Sequence, residues 1–173
     1  MKSKKNKIGI LGGSFDPAHK GHLAISKEAS KIFKLKKIIW AITKKNPFKN
    51  KSSKSLKERI TKCKEITKKN DFIEVKFFED KIKSNKTVSL INYFSKNKKN
   101  EIYFLMGADN LVNFHKWHKW KSIAKKCNIL VFDRQGYKAK SLKSITFKRL
   151  SAKYLTFIKF KKVNISSSQL RKI

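Results

Sequence analysis

The chain has 173 residues, 39% of them hydrophobic, and a formal net charge of +34. That length predicts one domain over 1–173 with a single core. The hydrophobic content is that of a soluble globular protein, and no apolar stretch is long enough to span a membrane.

A charge this high points first to nucleic acid or an anionic surface. Yet only four of the 45 Lys and Arg residues are arginine, the better fork for phosphates. The lysines are scattered along the chain and accompanied by Ile, Asn, Phe and Ser. Two readings stand: a solvated surface shaped by an AT-rich genome, or a selected anion-attracting field. Under either, the field helps to capture anionic small substrates. Cys63 and Cys127 are too far apart for a metal or redox spacing and read as reduced thiols of a cytoplasmic protein. "MKSKKNK" could open a signal peptide, but the apolar run behind it is four residues long and stops at Gly12-Gly13, so none is expected.

In chain order, strands are predicted at 8–11, 37–42, 73–78, 101–107, 128–133 and 155–160. Helical spacing falls at Leu23 to Phe33, Leu56 to Thr67, Val88 to Phe94 and Trp117 to Lys125. The Lys/Ser-rich stretch Lys49 to Lys57 reads as a mobile loop. Strand and helix in alternation predict an α/β fold, a mostly parallel sheet with helices on both faces. Such sheets bind ligands beyond the carboxyl ends of their strands.

"GGSFDPAHKGH", Gly12 to His22, leaves the first strand at that edge. Gly12 and Gly13 permit a tight turn and a close backbone approach. A helix starting near Gly21 would offer positive partial charge and free N–H groups to a phosphate. His19 and His22 would face the same side there as donors, and Gly21 leaves room for a nucleotide. An HxxH spacing alone carries little information; set in a Gly-Gly turn between strand and helix, it predicts a phosphate site. Near the other end, "ISSSQLR" places three serines before a short helix and an arginine after it. By itself that is a helix cap and a terminal charge. "FLMGADNLVNFHKWHKW" sets Gly107 at a strand end, Asp109 as an acceptor for ribose hydroxyls, and Trp117 and Trp120 three apart on a predicted helix. Trp120 reads as packing.

These motifs resemble those of the nucleotidyltransferases with the pattern GG(T/S)FDPxHxGH, whose members share a Rossmann-like fold. The resemblance implies attack on the α-phosphate of ATP with no covalent intermediate. It assigns His19 and His22 to the triphosphate, together with Gly12, Gly13, Ser14, Phe15, Asp16, Gly21, Gly107 and Asp109. It also places Ser166, Ser167, Ser168 and Arg171 on the β- and γ-phosphates, Arg171 with the two histidines as a catalytic residue. Gly-x-Asp followed by Trp-x-x-Trp is similar to the bacterial nicotinate-nucleotide adenylyltransferase branch, which implies Trp117 as the platform for the pyridine ring and His118 as a main-chain neighbour. Asn46 and Lys49 in "KKNPFK", Thr87 in "KTVSL" and Arg134 in "FDRQGY" complete the mononucleotide side. The family pattern has a second Thr where this chain has Leu90, and a Pro where it has Gln135.

The implied partners are ATP and nicotinate mononucleotide, with Mg²⁺ carried by ATP and no metal ligand from the protein. Neither a membrane nor a specific nucleic acid is expected. The rivals are another adenylyltransferase, such as the phosphopantetheine enzyme, and a non-catalytic basic nucleic-acid-binding protein.

Overall fold

Burial on both faces of the central strands explains the architecture. In the computed structural model, which describes residues 5–46, 51–150, 153–160 and Leu170, six parallel strands form one sheet. They are β1 (Asn6–Gly13), β2 (Lys37–Ile42), β3 (Ile73–Lys76), β4 (Asn100–Gly107), β5 (Asn128–Phe132) and β6 (Leu155–Ile158), ordered β3-β2-β1-β4-β5-β6. Successive side chains point to opposite faces. Ile10, Ile39, Phe104 and Val131 join one core cluster; Leu11, Trp40, Leu105 and Phe132 join the other. Both faces are covered, which is why the strands read as almost unbroken apolar runs.

Helices α1 (Lys20–Phe33) and α2 (Leu56–Thr67) contribute Ala29 and Cys63 to the second cluster. On the opposite face lie α4 (Thr87–Ser95) and α5 (Ala108–Asn113), supplying Val88, Ile91 and Leu111, with Ile123 of α6 (Trp120–Lys126). Short helices α3 (Glu79–Ile82), α7 (Lys138–Leu142) and α8 (Ile145–Leu150) fill the connections. Strand order reverses between β1 and β4, and the loops leaving these two strands part there, the place where such sheets hold ligands.

Four expectations need correction. The third strand stops at Lys76 rather than residue 78, because Phe78 already caps α3, and the sixth stops at Ile158 rather than residue 160. Gly12 and Gly13 are not the turn: both still pair with β2, and the left-handed residue is Phe15, φ 48°. The stretch from Trp117 is not one helix. Phe114–Lys116 form a 3₁₀ turn closed by the Trp117 N–H on the Phe114 carbonyl, Trp117 is extended, and Lys119 at φ 52° redirects the chain before α6 begins at Trp120.

Candidate active site

The β1 corner is held by its own histidines. His19 is the N-cap of α1, and its Nδ1 accepts from the Gly21 N–H at 3.1 Å. The Nδ1 of His22 accepts in return from the His19 N–H at 3.2 Å. This is a capping box, here made of imidazoles. A ring nitrogen that accepts carries no proton, so in each neutral ring the proton belongs on Nε2. The two rings lie 3.9 Å apart, and His22 also packs on Phe15, itself stacked on Trp40 at 4.9 Å. The helix start is therefore less open than the sequence suggested: the Gly21 N–H serves the cap, and the His22 N–H bonds the His19 carbonyl.

Asp16 turns the other way. It is 1% exposed, and its carboxylate accepts from the Ser53 N–H at 2.6 Å and the Ser53 hydroxyl at 3.0 Å. Close by, the guanidinium of Arg59, 3% exposed, donates to the carbonyls of Ser14, Thr43, Lys44 and Lys54 at 2.7–3.3 Å. One helical turn on, burial pushes the Cys63 thiol up to about 12, against a smaller opposing pull from Arg59. Beyond β2, the Thr43 hydroxyl and the Lys44 N–H both donate to Glu79.

The β4 corner is assembled from separate segments. Asp109, in the first turn of α5, pairs with Arg134 from the loop after β5. Gly107 makes room for that carboxylate: a Cβ there would lie 2.5 Å from Asp109 Oδ1. Thus the glycine expected to admit a ligand also admits a side chain of its own chain. Asp109, expected to meet ribose hydroxyls, already holds Arg134, and Arg134 is not an unengaged phosphate ligand. Arg134 also lies over the Tyr137 ring, and the turn between them places Gly136 at φ 79°. Trp117 stands edge-on to Phe114 at 5.0 Å and to Phe104 at 6.2 Å. Trp120 packs on Phe114 as the sequence predicted.

Both corners open into one cleft of about 680 Å³. Gly12, Gly13, Ser14, Phe15, His19, Gly21 and His22 line it from the β1 side. Gly107, Asp109, Trp117, His118 and Arg134 line it from the β4 side, while Asn46 and Thr87 close the flank. Asp16 does not line it. Lys49, Ser166, Ser167, Ser168 and Arg171 lie outside the described residues. Sequence reasoning missed Glu79, Lys86, Lys116 and Tyr137 on the walls, and Arg59 behind them. Lys86, Lys116 and Tyr137 stand inside the quoted motifs without being singled out, whereas Glu79 and Arg59 lie in none and need the fold to bring distant segments together.

A parallel sheet, a capped helix at its first corner and a nucleotide-sized cleft define a nucleotidyltransferase-like architecture. The sequence profile described as cytidylyltransferase-like matches residues 10–173. A "probable nicotinate-nucleotide adenylyltransferase" of Pelagibacter ubique is 70% identical over 173 residues, covering all of this chain and 96% of that protein. One of the same description from Agrobacterium fabrum is 37% identical, over 75% of this chain and 70% of its own. The fold is that of a Plasmodium falciparum nicotinic acid mononucleotide adenylyltransferase solved with APC and with NaAD. That match has a TM-score of 0.76 and 21% identity, over 96% of this chain and 83% of the other. The chain belongs to the cytidylyltransferase-like family, in its nicotinate-nucleotide adenylyltransferase branch.

Proposed function

We propose that this chain, acting as one domain over 1–173, transfers the adenylyl group of ATP to nicotinate mononucleotide, giving deamido-NAD and pyrophosphate. The observation that carries the reading is the single cleft in which the His19–His22 corner meets the Trp117–Arg134 corner. A phosphate oxygen of the mononucleotide attacks the α-phosphorus in line. The new P–O bond forms as the bond to the β-phosphate oxygen breaks, and pyrophosphate takes the electron pair. Catalysis of this kind is positioning and charge neutralisation. His19 and His22 donate from Nε2–H to the charge that grows on the phosphates.

Among the described residues, no three His, Cys, Asp or Glu gather into a metal cage. In this reading Mg²⁺ enters with the triphosphate, held by phosphate oxygens and water. No helix of the described residues is long and apolar enough to cross a membrane. Both cysteines are free and buried, which suits a cytoplasmic enzyme.

On the mononucleotide side, Trp117 offers a ring face and His118 lines the cleft beside it. Because no helix starts at Trp117, the donors for the ring's carboxylate come from the extended turn at Trp117–Lys119 and the nearby Lys116. A carboxamide would present its own NH₂ to such donors; one mismatched buried pair costs ~1–3 kcal/mol, about ten- to a hundredfold in affinity. Pyrophosphate release from ATP should therefore depend on the mononucleotide and favour the nicotinate over the nicotinamide form by that factor. Release without any mononucleotide would refute the transfer. Equal efficiency with the two forms would refute the ring selection.

A further inference from the structure

Arg59 belongs to none of the motifs that define the site, yet it touches the loops that carry them. It sits in the first turn and a half of α2, behind the Ser55 cap, and its side chain is 3% exposed. Nη1 donates to Ser14 at 2.7 Å and Thr43 at 2.8 Å; Nη2 donates to Lys44 at 3.0 Å; Nε donates to Lys54 at 3.3 Å. All these partners are main-chain carbonyls. Ser14 lies in the β1 corner between Gly13 and His19. Thr43 and Lys44 begin the loop after β2, which leads to Asn46. The guanidinium thus spans the loop on the triphosphate side and the loop on the mononucleotide side. The Asp16–Ser53 bonds tie the same β1 corner to the segment that precedes α2. A lysine ammonium is a compact point charge on a flexible stem and cannot reproduce a rigid planar fork across separate carbonyls.

We propose that Arg59 is a positioning residue of the adenylyl transfer, fixing the separation between the triphosphate loop and the mononucleotide loop. This inference rests on the reaction proposed above. The residues that would touch each substrate stay on their own loops when Arg59 is changed, so each substrate keeps its contacts. What is lost is the alignment of the attacking oxygen with the α-phosphorus. A misplacement of about 1 Å far from the reacting atoms can cost about 10²-fold in rate.

The test is steady-state kinetics on the full chain with ATP and nicotinate mononucleotide. The wild type is compared with Arg59→Lys and with Cys63→Ala, a buried change one turn along the same helix that removes none of these hydrogen bonds. Arg59→Lys should lower kcat about a hundredfold and leave both KM values within about threefold, whereas Cys63→Ala should lower the melting temperature and spare kcat. An Arg59→Lys enzyme with wild-type kcat, or one that loses no more kcat than Cys63→Ala at equal loss of melting temperature, would overturn the proposal. So would a large rise in either KM at unchanged kcat. A wild type with no mononucleotide-dependent release would instead bring down the reaction itself, and this inference with it. Should Arg59→Lys fail to fold, Ser53→Ala decides. It removes one hydrogen bond of the second tie, worth about two- to tenfold. A loss of kcat in that range at unchanged KM supports the proposal; unchanged kcat sinks it.

Discussion

The β1 corner and the β4 corner face each other across one cleft but are built in opposite ways. The β1 corner is contiguous. Its two histidines cap the helix they stand on, so their rings are oriented by the backbone of α1. The β4 corner is a composite in which Asp109 reaches Arg134, 25 residues away, and Trp117 leans on Phe104 and Phe114. A self-capped corner is preorganised before substrate arrives, which suits groups that must meet charge in the transition state. The composite corner suits recognition, where each segment contributes one contact.

The comparison predicts which kinetic constant each corner controls. The largest effect should come from His22→Ala. It removes both a donor and half of the capping box, and turnover should fall about 10²–10³-fold with a much smaller change in KM for ATP. Unchanged turnover would take histidine out of the mechanism and dissolve the distinction. A smaller effect should follow Trp117→Ala, which removes an aromatic platform worth about 1–3 kcal/mol. KM for both mononucleotides should rise about ten- to a hundredfold, with kcat less affected. A fall in kcat alone would move Trp117 from recognition to chemistry.

The smallest effect separates both corners from the core behind them. Burial pushes the Cys63 and Cys127 thiols up to about 12, so at pH 8 neither is a thiolate in the folded chain. Alkylation should leave activity unchanged, and both thiols should react only after unfolding. In the unfolded chain such thiols ionise near ~8.5. The folded state then holds more protons than the unfolded one, and stability falls as pH rises from about 8.5 toward 12. Tyr103, raised by burial and by its bond to Glu101, adds to that slope at higher pH. Thermal melts of a Cys63→Ala, Cys127→Ala double variant should be less steep in pH. An identical slope would show that the thiols are not the groups responsible.

What the sequence disclosed follows the same division. The β1 corner was legible because Gly12 to His22 is local: a strand end, a turn and a helix start lie within eleven residues. Even there, the turn fell on Phe15 and not on the glycines, since a left-handed residue without glycine carries no pattern. Strand positions were legible because both sheet faces are buried. Trp117 was placed on a helix because tryptophans three apart imitate helical spacing; the left-handed Lys119 that interrupts it looks like any other lysine. The Asp109–Arg134 pair and the Arg59 fork were not legible, because their partners become neighbours only after the sheet has formed.

The carbonyl-binding fork of Arg59 changes how this lysine-rich chain is to be surveyed. Where 45 positions are basic and only four of them are arginine, arginine is the rare choice. Arg59 grips four main-chain carbonyls and Arg134 pairs with Asp109, whereas the exposed Arg149 closes a short helix where a lysine would serve as well. Scarcity itself then becomes a marker. In similarly biased chains, arginines that persist beneath the surface are the first places to look for a planar grip on the backbone, ahead of any motif.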